Sequence, residues 1–289
     1  MSSETAPVLE LLDLQNTGQG QFLGPPMHDG PRVFGGHVVA QALAAACFTV
    51  DAGPCHSLHA YFIRPGKPGR PIEYEVSSMR DGNNFATRKV VAVQRDEPIL
   101  ELTASFDAGS RGLEHRVAMP DVPLPETYPS EAEREAVLLE RMPPELRAMA
   151  KRRWPMEVIH CDPRDFADRA PNPAPMRVWM RMRGTLMDDP NLHRCALAYA
   201  SDFGALEPSM RAIGAQFGDS AIQVASLDHA VWFHRDLRFD DWLLFVFDCA
   251  SVASGRGFNR GAVYRRDGVL VASIAQESLL RTRDPLAAV

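Results

Sequence analysis

Two segments about 170 positions apart carry nearly the same residues, and a repeat of that length decides architecture before any single element does. Residues 57–63 read SLHAYFI, and residues 226–233 read SLDHAVWF, with one residue more. The similarity continues downstream. IEYEVSSMRDGNNFATRKVVAVQRDEPILELTASF (72–106) parallels LLFVFDCASVASGRGFNRGAVYRRDGVLVASIAQES (243–278). Each copy runs strand, polar turn, phenylalanine (Phe85, Phe258), strand, Arg-Asp turn and final strand. Asp81-Gly82 and Asp267-Gly268 supply residues that tolerate positive φ, as hairpins between twisted strands require.

A helical candidate precedes each strand set. GGHVVAQALAAACFTV (35–50) places Val38, Ala42 and Ala45 at helical spacing, and its alanines suit a helix closely wrapped by a sheet. DFGALEPSMRAIG (202–214) is the counterpart, less regular because of Glu207-Pro208. Residues 111–175 between the copies hold eleven prolines around one charged helical segment, EAEREAVLLERM. Proline fixes φ and interrupts both strands and helices, so this stretch reads as a linker with some structure of its own. The expectation is an α+β chain: one helix and one antiparallel sheet, made twice, with the sheets joined edge to edge. The division is residues 1–110, a linker at 111–175, and 176–289.

Composition narrows the partners. A net charge of −6 with no long basic run offers no footprint for nucleic acid. MSSETAPVLELL lacks the basic start and apolar run of a signal peptide, no window reads as a membrane span, and PLAAV is not a peroxisomal address. The expected location is the cytoplasm. Five cysteines with no C-x-x-C pair argue against a disulfide framework or a structural zinc site. His56-x-x-His59 lacks helical spacing and nearby carboxylates, so no metal is expected there. GRGFNRG (255–261) and GQGQFLG (18–24) have the wrong spacing for a dinucleotide fingerprint and read as turns, and no cofactor is expected.

Six ordered segments, VFGGHVVAQAL, SLHAYFIRPG, RDGNNFATRKV, SLDHAVWFHR, ASGRGF and GVLVASIAQESLLR, resemble the type II acyl-CoA thioesterases. The resemblance covers roughly residues 8–110 and 176–283. It implies a double hotdog fold, homo-oligomers, and hydrolysis of fatty acyl-CoA by a water held by an Asp, a Thr or Ser, and a Gln in the second half. Carried onto this chain, these are Asp202 in YASDFG, Ser226 in ASLDHA and Gln276 in SIAQES. Ser226 stands where many members have Thr, which keeps the hydroxyl and loses the methyl that restricts χ1. His37 stands where GGQ is common.

Thioester hydrolysis needs an attacking water, an acceptor for its proton and donors for the developing oxyanion. Asp202 is the only acid of the three, and it accepts a proton best if partial burial raises it above its free value of about 3.9. Ser226 and Gln276 can orient a water but cannot act as bases. The thiol leaves readily, with a free pKa of about 8.5, so no covalent acyl-enzyme is required. The backbone N–H groups of Phe203 and Gly204 are the oxyanion candidates, on the expectation that they begin a hotdog helix. Arg64, Arg88, Arg256 and Arg260 are candidates for the CoA phosphates.

Bland roles compete with each assignment. Asp202 can cap a helix, Ser226 can start a strand, Gln276 can be an edge-strand amide, and the arginines can be solvated surface charges. His229 aligns with His59, which suggests a packing role common to both copies. A non-catalytic acyl-CoA-binding module is the rival from another class. A hotdog enoyl-CoA hydratase is disfavoured because DDPNLH (188–193) inverts the Asn-Pro order of D-x-N-P-x-H, and a serine hydrolase because no G-x-S-x-G occurs.

Overall fold

The computed structural model describes residues 6–51, 53–110, 112–143, 147, 153–162 and 168–283. The start of MSSETAPVLELL and the terminal PLAAV lie outside these residues.

Alternating strands and two apolar helices assemble as the repeat requires. The first half comprises helix α1 (Pro7–Leu12), strands β1 (Gln15–Gly18) and β2 (Gln21–Gly24), helix α2 (Gly35–Cys47), and strands β3 (Cys55–Phe62), β4 (Ile72–Asp81), β5 (Phe85–Gln94) and β6 (Glu97–Asp107). Helix α3 (Glu131–Arg141) and β7 (Met156–His160) follow. The second half holds β8 (Met176–Met182), α4 (Pro190–Ser201), α5 (Glu207–Ala212), β9 (Ile222–Ser226), β10 (Asp228–Phe233), β11 (Leu243–Ala253), β12 (Arg256–Arg265) and β13 (Leu270–Thr282).

One antiparallel sheet runs β1-β2-β4-β5-β6-β3-β10-β13-β12-β11-β8-β7, with β9 on β13. Edge-to-edge joining holds: β3 pairs β10 from Asp228↔Tyr61 to Trp232↔Ser57. Residues alternate across a strand, and the inward Leu58, Ala60, Leu102 and Ala104 are buried against the helices. In α2, Val39, Ala42, Leu43 and Ala45 are wholly buried; burying the Leu43 side chain alone is worth about 1.5–3 kcal/mol. Two helices each wrapped by half of one sheet make the expected double hotdog.

The second helix differs from its expectation. It spans Pro190–Ser201 and ends at Asp202 rather than starting there. Its start was readable in DDPNLH: Asp189 accepts a hydrogen bond from the Asn191 N–H, and Pro190 fills the first turn, where no N–H is needed. Residues 207–212 form only the short α5. Turn chemistry also moved. Positive φ falls on Arg95 and Asp96 between β5 and β6, on Ser254 and Gly255 between β11 and β12, and on Gly268, but not on Asp81 or Gly82.

Residues 119–128 of the proline-rich stretch pack on one face of the second half of the sheet. There Met119, Val122 and Tyr128 pack on Ile159, Trp179, Trp242, Leu244 and Tyr264, and the Trp179 indole donates to the Pro123 carbonyl at 3.0 Å.

Candidate active site

The site forms where the C-terminal end of α4 meets the N-terminal end of α2. Helix α2 begins after Phe34, which offers no capping side chain. Asp202, in the C-cap position of α4, supplies one from the other half: the Gly36 N–H donates to its Oδ2 at 2.9 Å. A carboxylate at a helix N-terminus also meets the positive end of the helix dipole. The approach needs glycine. A Cβ on Gly35 would lie 2.6 Å from Asp202 Oδ2, and one on Gly36 would lie 2.1 Å from the Tyr199 carbonyl oxygen.

Strand β13 brings the second group. It pairs with β10 over Ala272–Ala275 and with β9 from Ser278 onward, so Gln276 sits where the sheet changes partner. The opposing chain breaks at Leu227, between β9 and β10. There Asp228 Oδ1 accepts from the Glu277 N–H at 2.6 Å, and the Leu227 N–H donates to the Glu277 carbonyl at 2.9 Å. The polar SLDH opening is thus an irregularity in the ladder, with a side chain standing in for a backbone acceptor. Ser226 is the last residue before it.

Asp202, Ser226 and Gln276 come together. Ser226 Oγ donates to Asp202 Oδ1 at 3.4 Å, and Gln276 Nε2 donates to Ser226 Oγ at 3.1 Å. Asp202 and Gln276 are buried and Ser226 is half-buried. Edge-to-face ring pairs adjoin them: Phe34 meets Trp154 and Tyr199 at 5.1 Å each, and Trp154 meets Phe203 at 5.0 Å.

Phe203 and Gly204 do not begin a helix. They follow the C-terminus of α4, its negative end, and the Phe203 N–H already donates to the Ala200 carbonyl at 2.9 Å. The helix N-terminus at the site is that of α2, signalled in the sequence by Gly35-Gly36 ahead of an alanine-rich run.

Arg88 also departs from its expectation. Its guanidinium is turned inward and enclosed, bonding Thr49 Oγ1 at 3.0 Å, the Thr49 carbonyl at 2.8 Å, Ser78 Oγ at 3.0 Å and Asp81 at 2.7 Å, so a phosphate in solvent cannot reach it. Arg64 is exposed and donates to the Pro98 carbonyl at 3.0 Å. Arg256 pairs with Glu277 and Arg260 with Asp248, each at 2.9 Å.

His229 and His59 are not equivalent. His59 faces outward, edge-on to Trp232 at 5.0 Å, whereas His229 is fully buried on the helix side. The extra residue in SLDH moves the histidine by one place and hence to the other face. Its Nδ1 lies 2.5 Å from Gln276 Oε1 and its Nε2 2.7 Å from Ser201 Oγ. Burial pushes the imidazole below its ordinary pKa, against the opposing pull of the Asp202 carboxylate, the Gln276 bond and the Asp228 carboxylate. Ser201 and His229 were missed as partners because they are 28 residues apart and meet only where the end of α4 packs on β10.

A separate cleft of about 500 Å³ lies at the opposite, N-terminal end of α4. Each of its arginines has a carboxylate partner, Arg194 with Asp236, Arg238 with Asp188 and Asp240, Arg265 with Asp267, and Arg266 with Glu126, although Arg194 Nε and Nη1 are buried without a hydrogen bond.

Known proteins decide the family. Residues 165–279 match the family model described as acyl-CoA thioesterase, and residues 23–107 the one described as acyl-CoA thioesterase N-terminal domain. Acyl-CoA thioesterase 2 of Haemophilus influenzae is 33% identical over 97% of this chain and 99% of its own length. The chain belongs to the type II acyl-CoA thioesterase family. The crystal structure of acyl-CoA thioesterase II TesB2 from Mycobacterium marinum superposes with a TM-score of 0.77 at 36% identity, covering 96% of this chain and 98% of the other. A hot dog fold protein of unknown function from Alicyclobacillus acidocaldarius, 20% identical, superposes at 0.72 over 95% of this chain and 98% of its own, which speaks for the fold alone. As a member of the type II acyl-CoA thioesterases, the protein is an enzyme that hydrolyses acyl-CoA thioesters.

Proposed function

We propose that this thioesterase hydrolyses fatty acyl-CoA to a free acid and CoA with a water held by Asp202, Ser226 and Gln276, without an acyl-enzyme. The observation that carries this reading is the hydrogen-bonded cluster itself, with the Asp202 carboxylate tied both to Ser226 Oγ and to the Gly36 N–H. A water bound there donates one proton toward Asp202 and accepts from the second N–H of Gln276, which leaves an oxygen lone pair free for attack. As that oxygen bonds to the thioester carbon, Asp202 takes the proton and the carbonyl oxygen becomes negative. The positive end of the α2 dipole stabilises that charge, in place of Phe203 and Gly204. Collapse breaks the C–S bond, and the proton on Asp202 returns to the departing thiolate.

Cysteine is not needed as a nucleophile. The Cys47 thiol is pushed up by a hydrogen bond with the Cys195 thiol and by burial, and that of Cys55 by burial. All five thiols are free, as a reducing cytoplasm would keep them.

Release of thiol from a panel of acyl-CoAs tests the reading. Wild type should turn over, and Asp202→Asn should lose about 10²–10⁴-fold in kcat. Wild type that binds acyl-CoA yet releases no more thiol than Asp202→Asn would be a binding module instead. Intact mass measured on samples quenched during turnover should show no acyl adduct.

A further inference from the structure

A primary amide has two orientations that exchange its donor and acceptor ends, and only one of them is useful to a site that must donate to Ser226 and to water. In the observed arrangement Gln276 Nε2 faces Ser226 Oγ and Oε1 faces His229 Nδ1. An amide oxygen only accepts, so Nδ1 carries the proton. In neutral imidazole the other nitrogen is then an acceptor, and Ser201 Oγ stands 2.7 Å from it to fill that role. One direction therefore runs through the whole chain of groups: Ser201 hydroxyl to His229, His229 to Gln276, Gln276 to Ser226, Ser226 to Asp202.

The opposite tautomer reverses every link. With the proton on Nε2, the Ser201 hydroxyl turns to the Ala198 carbonyl, 2.9 Å away. Nδ1 then attracts the amide NH₂, and Gln276 shows its oxygen to Ser226. The Ser226 hydroxyl follows that oxygen and leaves Asp202.

Packing does not demand this arrangement. In the first half the inward residues of the equivalent strand, Leu58 and Ala60, are apolar and buried. A buried imidazole that needs two partners is expensive where leucine fits, so the second half keeps it for another reason.

We propose that His229, in its Nδ1–H tautomer with Nε2 facing the Ser201 hydroxyl, is a positioning residue that fixes the Gln276 amide with its NH₂ toward Ser226 and the attacking water. The inference rests on the reading that Asp202, Ser226 and Gln276 carry the hydrolysis.

Asparagine and glutamine at position 229 separate this role from bulk packing. Asparagine places a donor where Nδ1 stands, and glutamine places one where Nε2 stands. With the full-length enzyme, His229→Leu and His229→Gln should lose about 10²-fold in kcat, the scale of a misplaced reacting group, with KM within about two-fold. His229→Asn should return to within about ten-fold of wild type, since it restores the donor. In a Gln276→Ala background, His229→Leu should have less than about a two-fold further effect, because groups acting as one unit are not additive. Melting temperature and gel filtration establish which variants are folded, and the Asn and Gln pair decides the matter if the leucine variant does not fold.

Equal rates for the Asn and Gln variants, whether both are high or both low, would overturn the proposal, as would multiplicative losses in the Gln276→Ala background. Asp202→Asn and Gln276→Ala run alongside. If they lose activity while His229→Gln keeps it, only the positioning role falls; if they keep activity, the reading of the site falls and takes this role with it.

Discussion

Asp202 closes one helix and caps another, so its two readings, cap and catalytic acid, describe one side chain in one place. That coincidence gives the neighbouring glycines different expected phenotypes. A methyl on Gly36 would strike the backbone oxygen of Tyr199, which cannot move without its helix. Gly36→Ala should therefore lower the melting temperature, with an overpacking cost of about 1–3 kcal/mol by denaturant titration. A methyl on Gly35 meets the Asp202 carboxylate and the Phe62 ring, at 2.6 and 2.9 Å. These side chains can rotate away, so Gly35→Ala should keep most of its stability and lose kcat by about 10²-fold as Asp202 shifts. Ser226→Thr keeps the hydroxyl and narrows its rotamers, and thiol-release assays should find it at least as active as wild type; Ser226→Ala should lose rate.

Elements are held in place by polar ties that sequence periodicity does not display. Arg88 on β5 bonds both Thr49, just beyond α2, and Ser78 on β4, and so joins a helix end to the hairpin. Arg88→Met should lower the melting temperature by several degrees with KM for acyl-CoA unchanged; a raised KM with an unchanged melting temperature would instead return Arg88 to the phosphates. Register is the other feature of this scale. The paired phrases SLHAYFI and SLDHAVWF identified two related strands, but a strand alternates faces every residue. The inserted residue therefore turned one histidine outward and the other inward, and only the pairing of β3 with β10 reveals which.

The whole molecule should be sensitive to mild acid. Burial lowers the pKa of His193, opposed by the Asp240 carboxylate and reinforced by the Arg238 guanidinium, and burial lowers that of His229 as well, each from an ordinary value of 6.5. The unfolded chain then takes up protons near 6.5 that the folded protein refuses, so this part of the stability is complete above that pH and declines as the pH falls below it. Melting temperatures at pH 7.5, 6.5 and 5.5 should fall along the series, most steeply over its lower half. A flat series would mean that neither histidine is buried neutral.

Repeat, apolar periodicity and turn residues were enough to read two helix-and-sheet units and their edge-to-edge joining, whereas Asp202, Ser226 and Gln276 were picked out only by the resemblance of their motifs to those of a known family. Those signals are local, because a face of a strand or helix is written in consecutive residues. What the sequence left open is how the second helix meets the first. Its start at Asp189 was overlooked, and that error carried the oxyanion donors to Phe203 and Gly204, at the wrong end of a dipole. The Asp202–Gly36 bond spans 166 positions, and no spacing rule reaches so far. Only tertiary structure could decide that one half supplies the carboxylate and the other the helix N-terminus, because the two are brought together by the packing of α2 against α4 inside a shared sheet.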